Sequence, residues 1–271
     1  MKRLRLFLLL GIVGLLSLSG ATRADEIVVA AAASLTDALN AVGKAFTQAN
    51  PQTTVHFDFA SSGALEQQIV QGAPVDVFAS AAAKEMDELQ KGGHIVVATR
   101  VDFAGNRLVL IAPRGSNLKT WEDLGSARVR RVAISDPASV PSGRYAQETL
   151  QRRGLWVTVQ PKAVLGENVR QTLTYVANGD VEAGIVFATD ALIDKTRVRI
   201  VQEAIPGKDH TPILYPAAVI ASAPFPAAAR RFVVFLQSQT AQRILRAYGF
   251  TSAHPPQNPP IAPHAPVHKH R

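Results

Sequence analysis

The chain alternates short apolar runs with stretches whose hydrophobic residues recur every three or four positions. That is the pattern of strands handed on to amphipathic helices. Residues 27–31 form a continuous apolar run, as a parallel strand buried on both faces requires. Ser34 follows with Asp37 three residues on, the spacing of a capping box, and Leu35, Leu39, Val42 and Phe46 share one face of the helix it opens. Asn50-Pro51 ends that helix. The unit then repeats: 53–59 alternates as a strand, Ser61-Ser62-Gly63 leads into a helix bearing Leu65 and Ile69, and Gly72 closes it. Residues 74–80 read as a strand, 81–91 as a helix, and 108–112 as a strand closed by Pro113-Arg114-Gly115.

A second set of units follows. A strand at 131–134 ends at Asp136-Pro137, and Ser142-Gly143 starts a helix running to about residue 153. The spacing of Val169, Leu173 and Val176 predicts a helix over 167–177, with Gly179 at its end. Residues 183–188 form a short apolar strand, 213–221 a longer one interrupted by Pro216, and 226–248 a final helix carrying Phe232, Phe235, Leu236 and Ile244. The pattern therefore predicts two α/β sheets with a cleft between them, a preferred place for small ligands.

The two ends break the pattern. Lys2, Arg3 and Arg5 precede an apolar run over about 6–16, and Thr22-Arg23-Ala24 reads as a cleavage site, so residues 1–24 are expected to be a secretory signal peptide. The run is shorter than the roughly 20 residues of a membrane span. From His254 onward the chain is rich in Pro and His without periodicity, which predicts a disordered tail over 253–271. Nothing positions His254, His264, His268 and His270 as metal ligands.

Charge and cysteine content narrow the function. The formal charge of +8 falls to about +4 once the four basic residues of 1–24 are set aside, and Lys269 and Arg271 supply two of those. The remaining bases are scattered, unlike a nucleic-acid footprint. With no cysteine, disulfides, thiolate metal sites and cysteine nucleophiles are excluded. Catalysis finds little support: there is no G-x-S-x-G elbow, and Ser80-Ala81-Ala82-Ala83-Lys84 misses the S-x-x-K spacing by one residue. A phosphate-cradling glycine loop is missing as well.

Four handovers from strand to helix share small or polar residues: Ser34, Ser61-Ser62, Ser142-Gly143 and Glu167-Asn168-Val169. A helix N-terminus presents unpaired N–H groups and a partial positive charge, and small side chains let an anion approach them. Serine is also a common helix cap, so spacing leaves each residue open between cap and ligand. Asp76 and Asp136 read as turn residues and Asp190 as an N-cap. Arg144 and Arg170 fit either a mild attractive field or a solvent-facing role, and Trp121 and Trp156 are expected to pack.

The ordered set of motifs over 26–252 resembles the periplasmic molybdate-binding proteins. It runs from Ala31-Ala32-Ala33-Ser34-Leu35-Thr36-Asp37-Ala38 through Phe59-Ala60-Ser61-Ser62-Gly63 and Gly72-Ala73-Pro74-Val75-Asp76-Val77-Phe78. Val140-Pro141-Ser142-Gly143-Arg144-Tyr145-Ala146, Glu167-Asn168-Val169-Arg170, Ala183-Gly184-Ile185-Val186-Phe187 and Arg246-Ala247-Tyr248-Gly249-Phe250 complete it. The resemblance implies a type II periplasmic binding protein fold, with lobe I over 25–105 plus 217–252 and lobe II over 106–216. It implies that Ser34 and Ser62 donate hydroxyl and backbone N–H groups to a tetrahedral oxyanion, that Ser142 and Val169 donate backbone N–H groups from the other lobe, and that Ser61 adjoins them. Molybdate or tungstate would be held as an oxyanion, without direct metal ligands or a cofactor; sulfate or thiosulfate is the alternative. A periplasmic monomer serving an ABC permease and its cytoplasmic ATPase is expected. Phe187 departs from the family, which usually has a ligand-donating tyrosine there; Tyr145, Thr172 and Thr189 are candidates to replace its hydroxyl.

Overall fold

A computed structural model describes residues 25–253; the expected signal peptide and nearly all of the Pro- and His-rich tail lie outside them. The chain opens with β1 (Asp25–Ala32), one turn of 3-10 helix at Ala33–Leu35, and α1 (Thr36–Ala49). Then come β2 (Thr53–Ala60), α2 (Ser62–Val70), β3 (Val77–Ala79), α3 (Ala83–Lys91) and β4 (Val101–Asn106). These strands join one sheet in the order β2-β1-β3, with β4 at its far edge.

Through Arg107 the chain crosses into a second sheet. Its elements are β5 (Leu108–Pro113), β6 (Val132–Ser135), α4 (Pro141–Arg152), α5 (Trp156–Val159), β7 (Ala163–Gly166) and α6 (Val169–Ala177). They are followed by β8 (Ala183–Phe187), α7 (Ala188–Ile193) and β9 (Val198–Glu203), giving the order β7-β6-β8-β5-β9. The chain then returns: β10 (Ile213–Val219) inserts between β3 and β4, antiparallel to both, and α8 (Pro226–Leu236) and α9 (Gln239–Ala247) pack on the first sheet's side. Two crossings thus tie two mixed sheets together, which is the α/β two-lobed arrangement expected. The second crossing enters the first sheet at Ile213.

Burial follows the pattern. Ile27, Val29, Ala30 and Ala31 of β1 are fully buried, because helices cover both faces of a central parallel strand. Phe46 of α1 meets Phe232 and Phe235 of α8 edge-on at 5.2 and 5.4 Å, sealing one side of the first sheet. Trp121 packs in the second lobe under the Arg153 guanidinium, 5.2 Å from its ring centre.

Three expectations need correction. The final helix is broken in two, because Ser238 adopts extended backbone and its side chain accepts the Ala241 N–H at 3.2 Å, capping α9. Asp190 is not an N-cap: it lies inside α7, fully buried, and pairs with Arg170. The strand expected over 74–80 shrinks to β3, since Pro74 has no N–H to donate to the ladder. Asp76 ahead of it braces the fold, accepting the Val28 N–H at 2.8 Å and the Phe225 N–H at 2.7 Å.

Candidate functional site

One small cavity of about 10 Å³ lies between the sheets. From the first sheet it is lined by Ala32, Ala33, Ser34, Ala60, Ser61, Ser62 and Ala81. Val140, Pro141, Ser142, Asn168, Val169 and Phe187 line it from the second. All six residues singled out from the sequence (Ser34, Ser61, Ser62, Ser142, Val169 and Phe187) therefore face one space. None of the lining side chains carries a charge. Helices α2, α4 and α6 begin at Ser62, Pro141 and Val169, so three N-termini from both lobes converge on the cavity.

The hydroxyls are not equivalent. Ser61 is the N-cap of α2, its oxygen accepting the Ala64 N–H at 3.3 Å. The Ser62 oxygen accepts the Ala81 N–H at 3.1 Å, which leaves its own proton for the cavity. Ser142 behaves oppositely. Its Oγ lies 2.8 Å from Ser135 Oγ, which lies 2.9 Å from Thr172 Oγ1, and Thr172 donates to the Asn168 carbonyl at 3.1 Å. A chain ending on a carbonyl has a fixed direction, so the Ser142 proton is drawn inward and Ser142 offers the cavity its backbone N–H. Thr172 is thus engaged in this chain rather than replacing the missing Phe187 hydroxyl. Ser34 sits in the 3-10 turn without capping any helix, its oxygen 3.1 Å from the Tyr215 hydroxyl. Sequence reasoning missed Tyr215 altogether.

Charge surrounds the cavity at one remove, and it bridges the lobes. Arg170 of α6 pairs with Asp190 of α7 at 2.5 Å and reaches across to Asp37 of α1 at 2.7 Å. Arg144 of α4 pairs across the cleft with the buried Glu85 of α3. Both arginines, undecided from sequence, are therefore cross-cleft partners. Burial pulls the Arg170 guanidinium down, but Asp190 and Asp37 outweigh it and hold it above its ordinary value. Burial pushes the Asp190 carboxyl up to about 6, against the pull of Arg170. A third link is backbone: the Gly63 N–H at the start of α2 donates to the Ser139 carbonyl at 3.1 Å. Together these contacts describe a closed cleft.

The remaining candidates take structural roles. Asp136 accepts the Ala138 N–H at 2.9 Å in a turn. Thr189 accepts from Asn106 at 3.0 Å, and the Tyr145 ring packs 6.3 Å from that of Phe187. Among the described residues no group of three His, Asp or Glu could hold a metal ion, and no helix is long and apolar enough to cross a membrane.

Known proteins share this architecture and sequence. The model of the bacterial extracellular solute-binding protein family matches residues 27–251. A putative ABC transporter substrate-binding lipoprotein of Bacillus subtilis is 37% identical over 226 residues, 83% of this chain and 86% of its own length. The molybdate-binding protein ModA of Haemophilus influenzae is 36% identical over 232 residues, 84% of this chain and 90% of its own. The periplasmic molybdate-binding protein of Azotobacter vinelandii superimposes with a TM-score of 0.76 at 26% identity, over 84% of this chain and 100% of that one.

Proposed function

Since this chain belongs to the molybdate-binding family of bacterial extracellular solute-binding proteins, we propose that it captures molybdate, or tungstate, and delivers it to an ABC permease driven by a cytoplasmic ATPase. It is a substrate-binding protein, not an enzyme, and it works without a cofactor. Residues 1–24 direct export and are removed near Ala24, and the mature protein acts as a periplasmic monomer.

The observation that carries this reading is the convergence of Ser34, Ser62, Ser142 and Val169 on one uncharged cavity, with donors from both lobes. Stripping water from a dianion is very costly unless its oxygens regain hydrogen bonds. Donors aimed at a charged acceptor give the strong, charge-assisted kind. Here the first lobe supplies the Ser34 and Ser62 hydroxyls with their N–H groups, and the second supplies the N–H groups of Ser142 and Val169. A tetrahedral oxyanion touching both lobes stabilises the closed form over the open one by the contacts that only closure completes. Ser61 caps α2 at the rim, and Phe187 supplies an apolar wall.

A melting-temperature panel with molybdate, tungstate, sulfate, thiosulfate and phosphate tests the reading. A specific ligand at about 100 times its Kd adds about 2.7 kcal/mol, roughly 5–10 °C for a chain of this size. Shifts with molybdate and tungstate alone are expected. A shift with sulfate or thiosulfate while molybdate stays silent would overturn the substrate and keep the fold.

A further inference from the structure

Ser34 is backed by a buried polar relay at the junction of the lobes. The Asn106 side chain is fixed in orientation, because its Oδ1 accepts the Arg107 backbone N–H at 2.8 Å and must therefore be the oxygen. Its amide nitrogen then spends both hydrogens, one on Thr189 Oγ1 at 3.0 Å and one on the Tyr215 hydroxyl at 3.0 Å. Since Tyr215 oxygen accepts from Asn106, its own proton is left for its remaining neighbour, Ser34 Oγ at 3.1 Å. All four side chains are buried. Burial also raises the Tyr215 hydroxyl well above the ordinary tyrosine value, which keeps that proton in place. Ser34 oxygen thus accepts from inside the protein, and its own proton is left for the cavity.

The relay stands where the chain crosses between lobes. Asn106 is the last residue of β4 before the crossing into β5, and Tyr215 lies at the register shift beside Pro216 in β10. A bulge re-aims the side chain beside it, and proline is tolerated there. Tyr215 also packs against the Phe187 ring, 5.9 Å between centres, next to the wall from which the family hydroxyl is missing.

We propose that Asn106 and Tyr215 are positioning and selectivity residues. They polarise Ser34 as a donor toward the bound oxyanion and so disfavour an oxyanion that places an O–H group against it. The proposal rests on the oxyanion-binding reading above. An anion such as molybdate offers only acceptors, and every hydroxyl aimed at it should be a donor. Hydrogen arsenate or hydrogen phosphate has the same charge but one O–H group, which needs an acceptor. With Ser34 oxygen engaged by Tyr215 and Ser62 oxygen by the Ala81 N–H, both hydroxyls are set to donate to the anion rather than accept from it.

Two variants separate this role from simple packing. Tyr215→Phe removes the donor to Ser34 and keeps the ring. Asn106→Asp reverses the relay: a carboxylate accepts the Tyr215 proton, Tyr215 oxygen accepts from Ser34, and Ser34 presents a lone pair to the cavity. Titration calorimetry at pH 8 compares molybdate with hydrogen arsenate, both dianions, so the charge added in Asn106→Asp weakens the two alike and their ratio reports the ligand proton. Both variants should weaken molybdate at least tenfold and narrow the molybdate-to-arsenate ratio at least tenfold, the narrowing being greater in Asn106→Asp. A wild-type ratio in either folded variant, even with weaker molybdate binding, overturns the proposal. A wild-type protein silent toward molybdate but binding another proton-free oxyanion overturns the substrate reading instead, and the same ratio taken with that anion still decides the relay.

Discussion

Gly63 offers a way to block closure without touching a ligand donor's side chain. It is the second residue of α2, in the first lobe, and faces the Ser139 backbone of the second. A Cβ added there would lie 2.5 Å from the Ser139 carbonyl oxygen and 3.1 Å from its carbonyl carbon. Carbon–oxygen contacts settle at about 3.3 Å or more, so Gly63→Ala must hold the lobes roughly 0.8 Å apart at this point. Backbone atoms cannot rotate away as a flexible side chain would. The Gly63 N–H bond to Ser139, now 3.1 Å, would stretch beyond hydrogen-bonding range. Anion bonds from Ser142 and Val169 would lengthen in step with it. Two charge-assisted bonds at about 1.5–3 kcal/mol each, weakened by about half and added to the lost backbone bond, amount to roughly 2–4 kcal/mol. That corresponds to a Kd roughly thirty- to several-hundredfold higher. The ligand-free protein should melt at its usual temperature or slightly above, since alanine favours a helix over glycine. Calorimetric titration with molybdate and a ligand-free melt together decide it. Wild-type affinity would refute the cross-cleft contact, and a fall in ligand-free stability matching the loss in affinity would refute a specific effect on closure. Gly143→Ala makes the contrast: its Cβ would lie 2.2 Å from the Ser135 oxygen within the same lobe, so the ligand-free melt must drop.

Three further predictions follow from the charges and the cavity wall. Glu85→Ala leaves Arg144 unpaired only when the cleft is closed, so the ligand should dissociate faster by about tenfold or more in stopped-flow measurements, with the ligand-free melt little changed. Asp190 titrates near 6 in the folded protein, above the ordinary unfolded value of about 3.9. The folded state therefore takes the proton first as pH falls, and the group's contribution to stability is full below about 3.9 and lost as pH rises through about 6; Asp190→Asn should remove that slope from urea titrations run between pH 4 and 7.5. Phe187→Tyr adds a hydroxyl to the cavity wall and should tighten molybdate about tenfold by calorimetry. Unchanged affinity would mean the new hydroxyl does not reach the anion.

What the sequence revealed was the local part of the site. Each serine proposed to hold the ligand stands where an apolar strand ends and a helix begins, and such handovers carry a signature within a few residues. Ser34, Ser61, Ser62 and Ser142 could be found that way, and so could the sheets that carry them. The missing parts depend on contacts between distant segments. Tyr215 reaches Ser34 across 181 residues of chain, and Asn106 reaches Tyr215 across 109. No periodicity announces either contact. Arg144 and Arg170 stayed undecided because their cross-cleft partners, Glu85 and Asp37, belong to the other lobe. β7 and β9 escaped notice because four- to six-residue strands at sheet margins, such as Ala163–Gly166, carry too few buried positions to mark a period. Within the last helix, Ser238 interrupted no hydrophobic stripe and gave its cap away only through geometry.

The same serines show why residue type alone underdetermines the chemistry of such a site. Ser62 and Ser142 stand at equivalent places in their lobes, near the first residue of a helix lining the cavity. Ser62 oxygen is held by a backbone N–H, which can only donate, so its proton turns outward to the cavity. Ser142 is held by a chain that ends on a carbonyl, which can only accept, so its proton turns inward. The nature of the last group in each chain therefore decides whether a hydroxyl or only a backbone N–H meets the anion. The arginines are subject to a similar control. Arg144 is matched by one carboxylate and Arg170 by two, so little net positive charge reaches the cavity from either. A naked cation there would attract any dianion regardless of shape or protonation. Neutral donors of fixed direction hold an anion only where its oxygens meet them, so selection passes from charge to geometry.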